Sequence, residues 1–203
     1  LTKIDFAKLL AAALSYLLLR QHDPAGLLIA KDEGPLYIPP RGGAAHLGDL
    51  CRALEDTPVQ GRTELSDALL LLSETVRRRS IIVVLSDLLP APPLDDVDEY
   101  AEYLRKQSVL LRAKLCSLRA QKHDVIVLQT LDADELELPW SNLTWFEAVE
   151  PGLPSQERLF VDPGDVRKAY LDELQQFLND MRMGLREGDV DYTLVPTSRS
   201  PES

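Results

Sequence analysis

The chain has 203 residues, a formal net charge of −11 and a sequence pI of about 4.7. That length suits one α/β domain and is short for two. The acidic balance argues against nucleic acid or an anionic membrane as the main partner. No apolar run approaches the roughly 18 residues of a membrane span.

In chain order, Ile4 to Gln21 reads as a helix that is apolar almost all round, and so is expected to be buried against a sheet. Ala25 to Ala30 is a short strand. Lys31-Asp32-Glu33-Gly34 forms a turn, and Leu36 to Ile38 pairs back as a hairpin and an antiparallel edge strand. Pro39-Pro40-Arg41-Gly42-Gly43 is expected to break the chain before a second helix, Ala45 to Leu54. A third helix, Glu64 to Arg79, carries Leu65, Leu69, Leu72 and Val76 on one stripe. Ile81 to Leu85 is an uninterrupted apolar strand of the kind found in sheets covered on both faces.

A proline-rich break at residues 90–93 precedes a long helix, Asp95 to Lys122. Its first turns are acidic (Asp95, Asp96, Asp98, Glu99). Its later turns are basic (Arg105, Lys106, Arg112, Lys114, Arg119, Lys122). That order complements the helix dipole and marks a solvated face before it marks a binding patch. Gln107-Ser108 is a candidate bend. Val125 to Leu131 is a second buried strand.

Glu135 to Pro139, Leu143 to Phe146 and Leu159 to Val161 read as short β segments, a small antiparallel excursion over residues 135–162. Val166 to Leu185 is the last long helix, with Tyr170, Leu174, Phe177, Leu178 and Met181 inward. Val190 to Val195 is the final strand. Residues 1–196 thus form a single domain, and 197–203 a loose polar tail.

Strands alternating with helices imply an α/β fold with a mostly parallel, Rossmann-like sheet and right-handed crossovers. Ligands in such sheets gather at the carboxyl ends of the strands. Thr63, in the Gly61-Arg62-Thr63 loop that opens the third helix, and Asp87, which ends the Ile81 strand, can converge there. They are two oxygen donors suited to a hard cation such as Mg2+. Equally, Thr63 can be a helix N-cap and Asp87 a loop cap, and both readings stand at this point.

Other constellations are weaker. Gly61-Arg62-Thr63 lacks the Walker spacing and its lysine. Ser86 lacks the Gly-x-Ser-x-Gly elbow of hydrolases. His22, His46 and His123 read as surface or capping residues, and no pair has metal spacing on one helix face. Asp132, Asp134, Glu135 and Glu137 read as a solvated acidic loop. Cys51 and Cys116 fall in helices without zinc-ligand spacing, so reduced core thiols and a cytoplasmic location are expected.

The order of several pieces resembles the von Willebrand factor A-like domain of the bacterial domain-of-unknown-function 58 family. The pieces are Ala11 to Leu17 with Asp23 to Leu27; Pro39 to Gly43; Gly61 to Leu65; Leu85-Ser86-Asp87-Leu88; Leu131 to Pro139; and Val161-Asp162-Pro163 with Tyr170. The resemblance implies a three-layer A-type sandwich and a non-enzymatic interaction module. Its partner would be a MoxR-type AAA+ ATPase, since such domains are typically found beside these ATPases. It also implies a metal-ion-dependent adhesion site, in which Thr63 matches the second loop and Asp87 the third.

The first-loop pattern, Asp-x-Ser-x-Ser, does not occur in the N-terminal part of the chain. The central strand that it ends is therefore expected upstream of Leu1, and in this chain its place is expected to be filled by a neighbouring chain, a rearranged sheet or a bound peptide. Mg2+ is expected in the full-length protein and only weakly, or not at all, in this chain. The alternative is a metal-dependent α/β hydrolase using the crevice at Asp87.

Overall fold

The computed structural model describes residues 2–31, 33–58, 65–89, 100–147 and 158–197. Helix α1 spans Lys3–Arg20, with Thr2 as its N-cap accepting from the Asp5 N–H. Strands β1 (Ala25–Ile29) and β2 (Leu36–Arg41) form an antiparallel pair. Helices α2 (Ala44–Asp56) and α3 (Leu65–Thr75) lead to β3 (Ile81–Ser86). Helix α4 (Tyr100–Ala120) leads to β4 (Asp124–Leu131) and the short α5 (Ala133–Glu137). A second antiparallel pair, β5 (Thr144–Glu147) with β6 (Arg158–Val161), precedes α6 (Pro163–Glu187) and β7 (Asp191–Pro196).

The chain is thus mixed α/β. β3, β4 and β7 make a parallel sheet in that order, with Ser86 opposite Gln129 and Gln129 opposite Leu194. β1–β2 and β5–β6 are separate two-stranded sheets, so among the described residues β1 does not pair with β3.

Alternation decides where the core sits. Ile82 and Val84 of β3 and Val125 and Val127 of β4 point to one face of the sheet. There they meet Leu111, Leu115 and Leu118 of α4 and Phe177, Leu178, Met181 and Leu185 of α6. Those helical residues recur at three- and four-residue intervals, the stripe a helix must present to bury one side. Helix α1 lies against α2, β1, β3 and β4.

Several sequence expectations need correction. Only Phe6 and Ser15 of α1 are buried, while Leu9, Tyr16 and Leu17 stay exposed. The helix meets neighbours along one side, so its all-round apolarity does not bury it. Pro39 and Pro40 do not end β2. The strand continues to Arg41, opposite Ala25, and an irregularity between Ala25 and Leu27 absorbs the prolines. Pro39 and Pro40 have no ladder partner at this irregularity, so their missing N–H groups cost the pairing nothing. Gly26 is required at this crossing, since a Cβ there would lie 2.9 Å from the Pro40 nitrogen.

Helix α3 ends at Thr75, before the Arg77-Arg78-Arg79 run of like charges. Helix α4 runs unbroken through Gln107-Ser108, with the Ser108 hydroxyl turned back to donate to the Leu104 carbonyl at 2.6 Å. The acidic stretch 95–99 lies outside the described residues.

The segment expected as a strand from Glu135 is helical. Asp132 accepts from the Asp134 N–H, and Glu135 reaches back to the Asp132 N–H at 2.8 Å. This reciprocal capping box opens a turn of helix despite the period-two alternation of Glu and Leu. Leu138 closes the turn in the left-handed region, its N–H donating to the Asp134 carbonyl.

His46 and His123 are buried, not surface residues. His46 Nε2 pairs with the Ala25 carbonyl at 2.8 Å, while His123 Nδ1 has no partner among the described residues. Both cysteines are free.

Helices α4 and α6 pack closely because α6 ends in glycines. A Cβ at Gly188 would fall 2.1 Å from Cys116 Sγ and 3.1 Å from its Cβ. Burial also pushes the Cys116 thiol pKa up, which keeps it neutral against this contact. Gly188→Val is therefore expected to lower stability by about 1–3 kcal/mol through overpacking. A thermal melt with an unchanged midpoint would disprove the contact.

Candidate functional site

The carboxyl ends of β3 and β4 lie side by side, because the strands are parallel and in register. Asp87 follows the last residue of β3. Its Oδ1 accepts from the Leu89 N–H at 3.3 Å, and Ser86 Oγ accepts from the Leu88 N–H at 3.0 Å. These two short-range bonds let Leu88 adopt a positive φ of 60° and bury its side chain. The loop-capping role of Asp87 is thus present in the fold.

The second carboxylate oxygen of Asp87 faces another group. Lys3 Nζ, from the first turn of α1, donates to Asp87 Oδ2 at 3.1 Å and to Glu135 Oε1 at 2.7 Å. All three side chains are about one-third exposed, at 33%, 35% and 31%. Each ion pair is therefore screened and contributes on the order of 0–1 kcal/mol.

Burial of Lys3 opposes its charge, but the Glu135 hydrogen bond and the Asp87 and Glu135 charges outweigh it. The net pKa is raised above the ordinary 10.5. The stabilisation this gives is complete below 10.5 and is lost as pH rises through the higher folded value.

Beneath Asp87 lies a polar core. Gln129 is fully buried at 0% exposure. Its Nε2 donates to the Asp87 carbonyl at 2.7 Å, and its Oε1 accepts from the Tyr192 hydroxyl at 2.6 Å. One side chain of β4 thereby fixes the loop after β3 and ties it to β7. Burial, the dominant cause, raises the Tyr192 pKa and keeps its hydroxyl a donor.

Asp132 borders the same edge. Its Oδ1 accepts from the Asp134 N–H and its Oδ2 from the Thr197 hydroxyl at 2.7 Å. The Asp134 N–H first, then Thr197, hold its carboxyl below the usual range. Tyr170 of α6 donates to the Glu135 carbonyl at 2.9 Å, which docks α5 on α6.

Of the two residues singled out from sequence, Asp87 sits at the sheet's carboxyl edge. Thr63 lies outside the described residues, so its position relative to Asp87 is not part of this geometry. Lys3 and Gln129 are site residues that sequence reasoning passed over, and Glu135, read there as part of a solvated acidic loop, is instead half-buried and bonded to Lys3 and the Asp132 N–H. Glu135 had a legible signal, since it stands three residues after Asp132 in capping-box spacing. Lys3 and Gln129 had none, because their partners are distant in the chain.

Among the described residues, no group of three or more His, Cys, Asp or Glu side chains is arranged to hold a metal ion. The oxygens of Asp87 and Glu135 nonetheless have the chemistry of hard-cation ligands, and the cation between them is the Lys3 ammonium. Nor is any helix among these residues long and apolar enough to cross a membrane.

A family model described as "Protein of unknown function DUF58" matches residues 1–175. The chain belongs to this family. The DUF58 match takes in α1 through the first half of α6, and so includes Lys3, Asp87, Gln129 and Glu135. No curated protein matches the chain.

Proposed function

We propose that this DUF58 chain is a von Willebrand factor A-like, non-enzymatic interaction module of the cytoplasm. Its partner is a MoxR-type AAA+ ATPase. The observation that carries the reading is Asp87, a carboxylate standing just past the parallel strand β3 at the edge where α/β sheets take ligands. Asp87 and Thr63 would hold Mg2+, which supplies a coordination position for an acidic group of the partner. Few direct carboxylates leave such an ion under-neutralised, so an incoming carboxylate gains by joining it.

The hydrolase alternative needs a base near Asp87 whose pKa suits the working pH. His123 immediately precedes β4, at the opposite end of the parallel pair from Asp87. His46 is engaged with the Ala25 carbonyl. His22 follows the far end of α1, an 18-residue helix whose first residue is Lys3. At about 1.5 Å per residue that is some 27 Å of helix. These placements favour the interaction reading.

The test is calorimetric titration of the protein with a MoxR-type AAA+ ATPase of the same organism, with Mg2+ and with chelator. Binding is expected to weaken about tenfold or more on chelation and equally in Asp87→Ala, as for loss of a buried charged contact. Full affinity in both arms would leave Asp87 as a loop cap only. Turnover of a phosphoester or peptide substrate lost in Asp87→Ala would favour the hydrolase instead.

A further inference from the structure

Lys3 is the third residue of the chain, and Asp87 and Glu135 come from two other elements, yet all three meet at one point. The ammonium lies 3.1 Å from Asp87 Oδ2 and 2.7 Å from Glu135 Oε1. Asp87 Oδ1 is already engaged by the Leu89 N–H, and Glu135 Oε2 by the Asp132 N–H. The free lone pairs of both carboxylates are thus turned toward a single cation. That cation is covalently tethered through the first turn of α1.

We propose that Lys3 is an internal cation that competes with a divalent ion for Asp87. The inference rests on the reading of Asp87 as a metal ligand and adds its regulation. A divalent ion on Asp87 Oδ2 and an ammonium hydrogen-bonded to the same oxygen would lie within a few ångströms of each other. At that range like charges repel strongly even when partly solvated. Metal binding therefore requires Lys3 to withdraw, and with the metal absent the ammonium holds the Asp87 and Glu135 carboxylates in place. Because Lys3 belongs to α1, its withdrawal links metal occupancy to the start of that helix. The ammonium also neutralises part of a dense acidic edge, so it serves as the metal's substitute as well as its rival.

The experiment is a Mn2+ titration, read by water-proton relaxation, on the full-length gene product and on Lys3→Met, Lys3→Arg and Lys3→Met/Asp87→Asn. Circular dichroism verifies that each variant is folded. Lys3→Met is expected to bind Mn2+ at least about tenfold more tightly than the parent. Lys3→Arg should match the parent, since it keeps the charge, and the double variant should lose the gain. Saturable binding equal in the parent and Lys3→Met would overturn the competition while leaving the metal reading intact. An absence of binding in every variant would overturn both. A gain that persists in the double variant would place the ion elsewhere and sink the proposal.

Discussion

Gln129→Leu is expected to cost the fold about 2–4 kcal/mol, measured as the change in unfolding free energy in urea. Gln129 is wholly enclosed, and both ends of its amide are used, by the Asp87 carbonyl and by the Tyr192 hydroxyl. Leucine matches its bulk but not its polarity. It would take from a part-buried backbone carbonyl and a part-buried phenol the partner that each now has. Orphaned buried groups cost about 1–3 kcal/mol each, more than the net gain of making the bonds.

Tyr192→Phe, which removes only one of the two bonds, is expected to cost about 1 kcal/mol. The pair of variants separates the contribution of the loop from that of β7. An unchanged urea midpoint in Gln129→Leu would mean that Gln129 does not hold the Asp87 loop. The consequence for function follows directly. A ligand at the sheet edge must be met by a carboxylate already in position, and Gln129 fixes the backbone that carries Asp87.

How much of this was legible in the sequence depends on the range of the interaction. β3 and β4 announce themselves as continuous apolar runs, and the stripes of α4 and α6 are visible at helical spacing. Asp87 is legible because it ends such a run. Alternating Glu135-Leu136-Glu137-Leu138 reads as a strand, yet the capping bonds of Asp132 and Glu135 decide it as helix. There a local side-chain contact outweighs periodicity. The prolines of β2 read as a break because proline is costly in a paired strand, and the cost vanishes at an irregularity that leaves them unpaired.

The Lys3–Asp87–Glu135 cluster joins residues 84 and 132 positions apart. Only the topology brings them together, and no window of the sequence contains it. The buried state of His46 and His123 is illegible for the same reason, since the neighbours that enclose them come from other elements.

Leu115→Ala is expected to cost about 2–5 kcal/mol, with the melting temperature falling roughly 2–4 °C for each kcal/mol lost. Leu115 is 0% exposed, about three-quarters of the way along α4 and between Leu111 and Leu118 on the stripe that meets β3, β4 and α6. The cavity left by its side chain cannot collapse without moving α6, which the close approach of Gly184 and Gly188 to α4 holds in place.

Ile81→Ala removes a side chain of similar apolar area from β3, yet is expected to change stability by no more than about 0.5 kcal/mol. Ile81 is 65% exposed, because alternation turns it away from Ile82 and Val84. Comparing the two in one melting experiment measures how unequally the faces of the parallel sheet contribute. A large loss from Leu115→Ala beside a small one from Ile81→Ala places the stabilising core between the sheet and α4–α6. The Asp87 edge then rests on a sheet whose main support is α4 and α6, with α1 also lying against β3 and β4. Equal losses would instead show that Ile81 is covered in solution, and the sheet would then have to be read as buried on both faces.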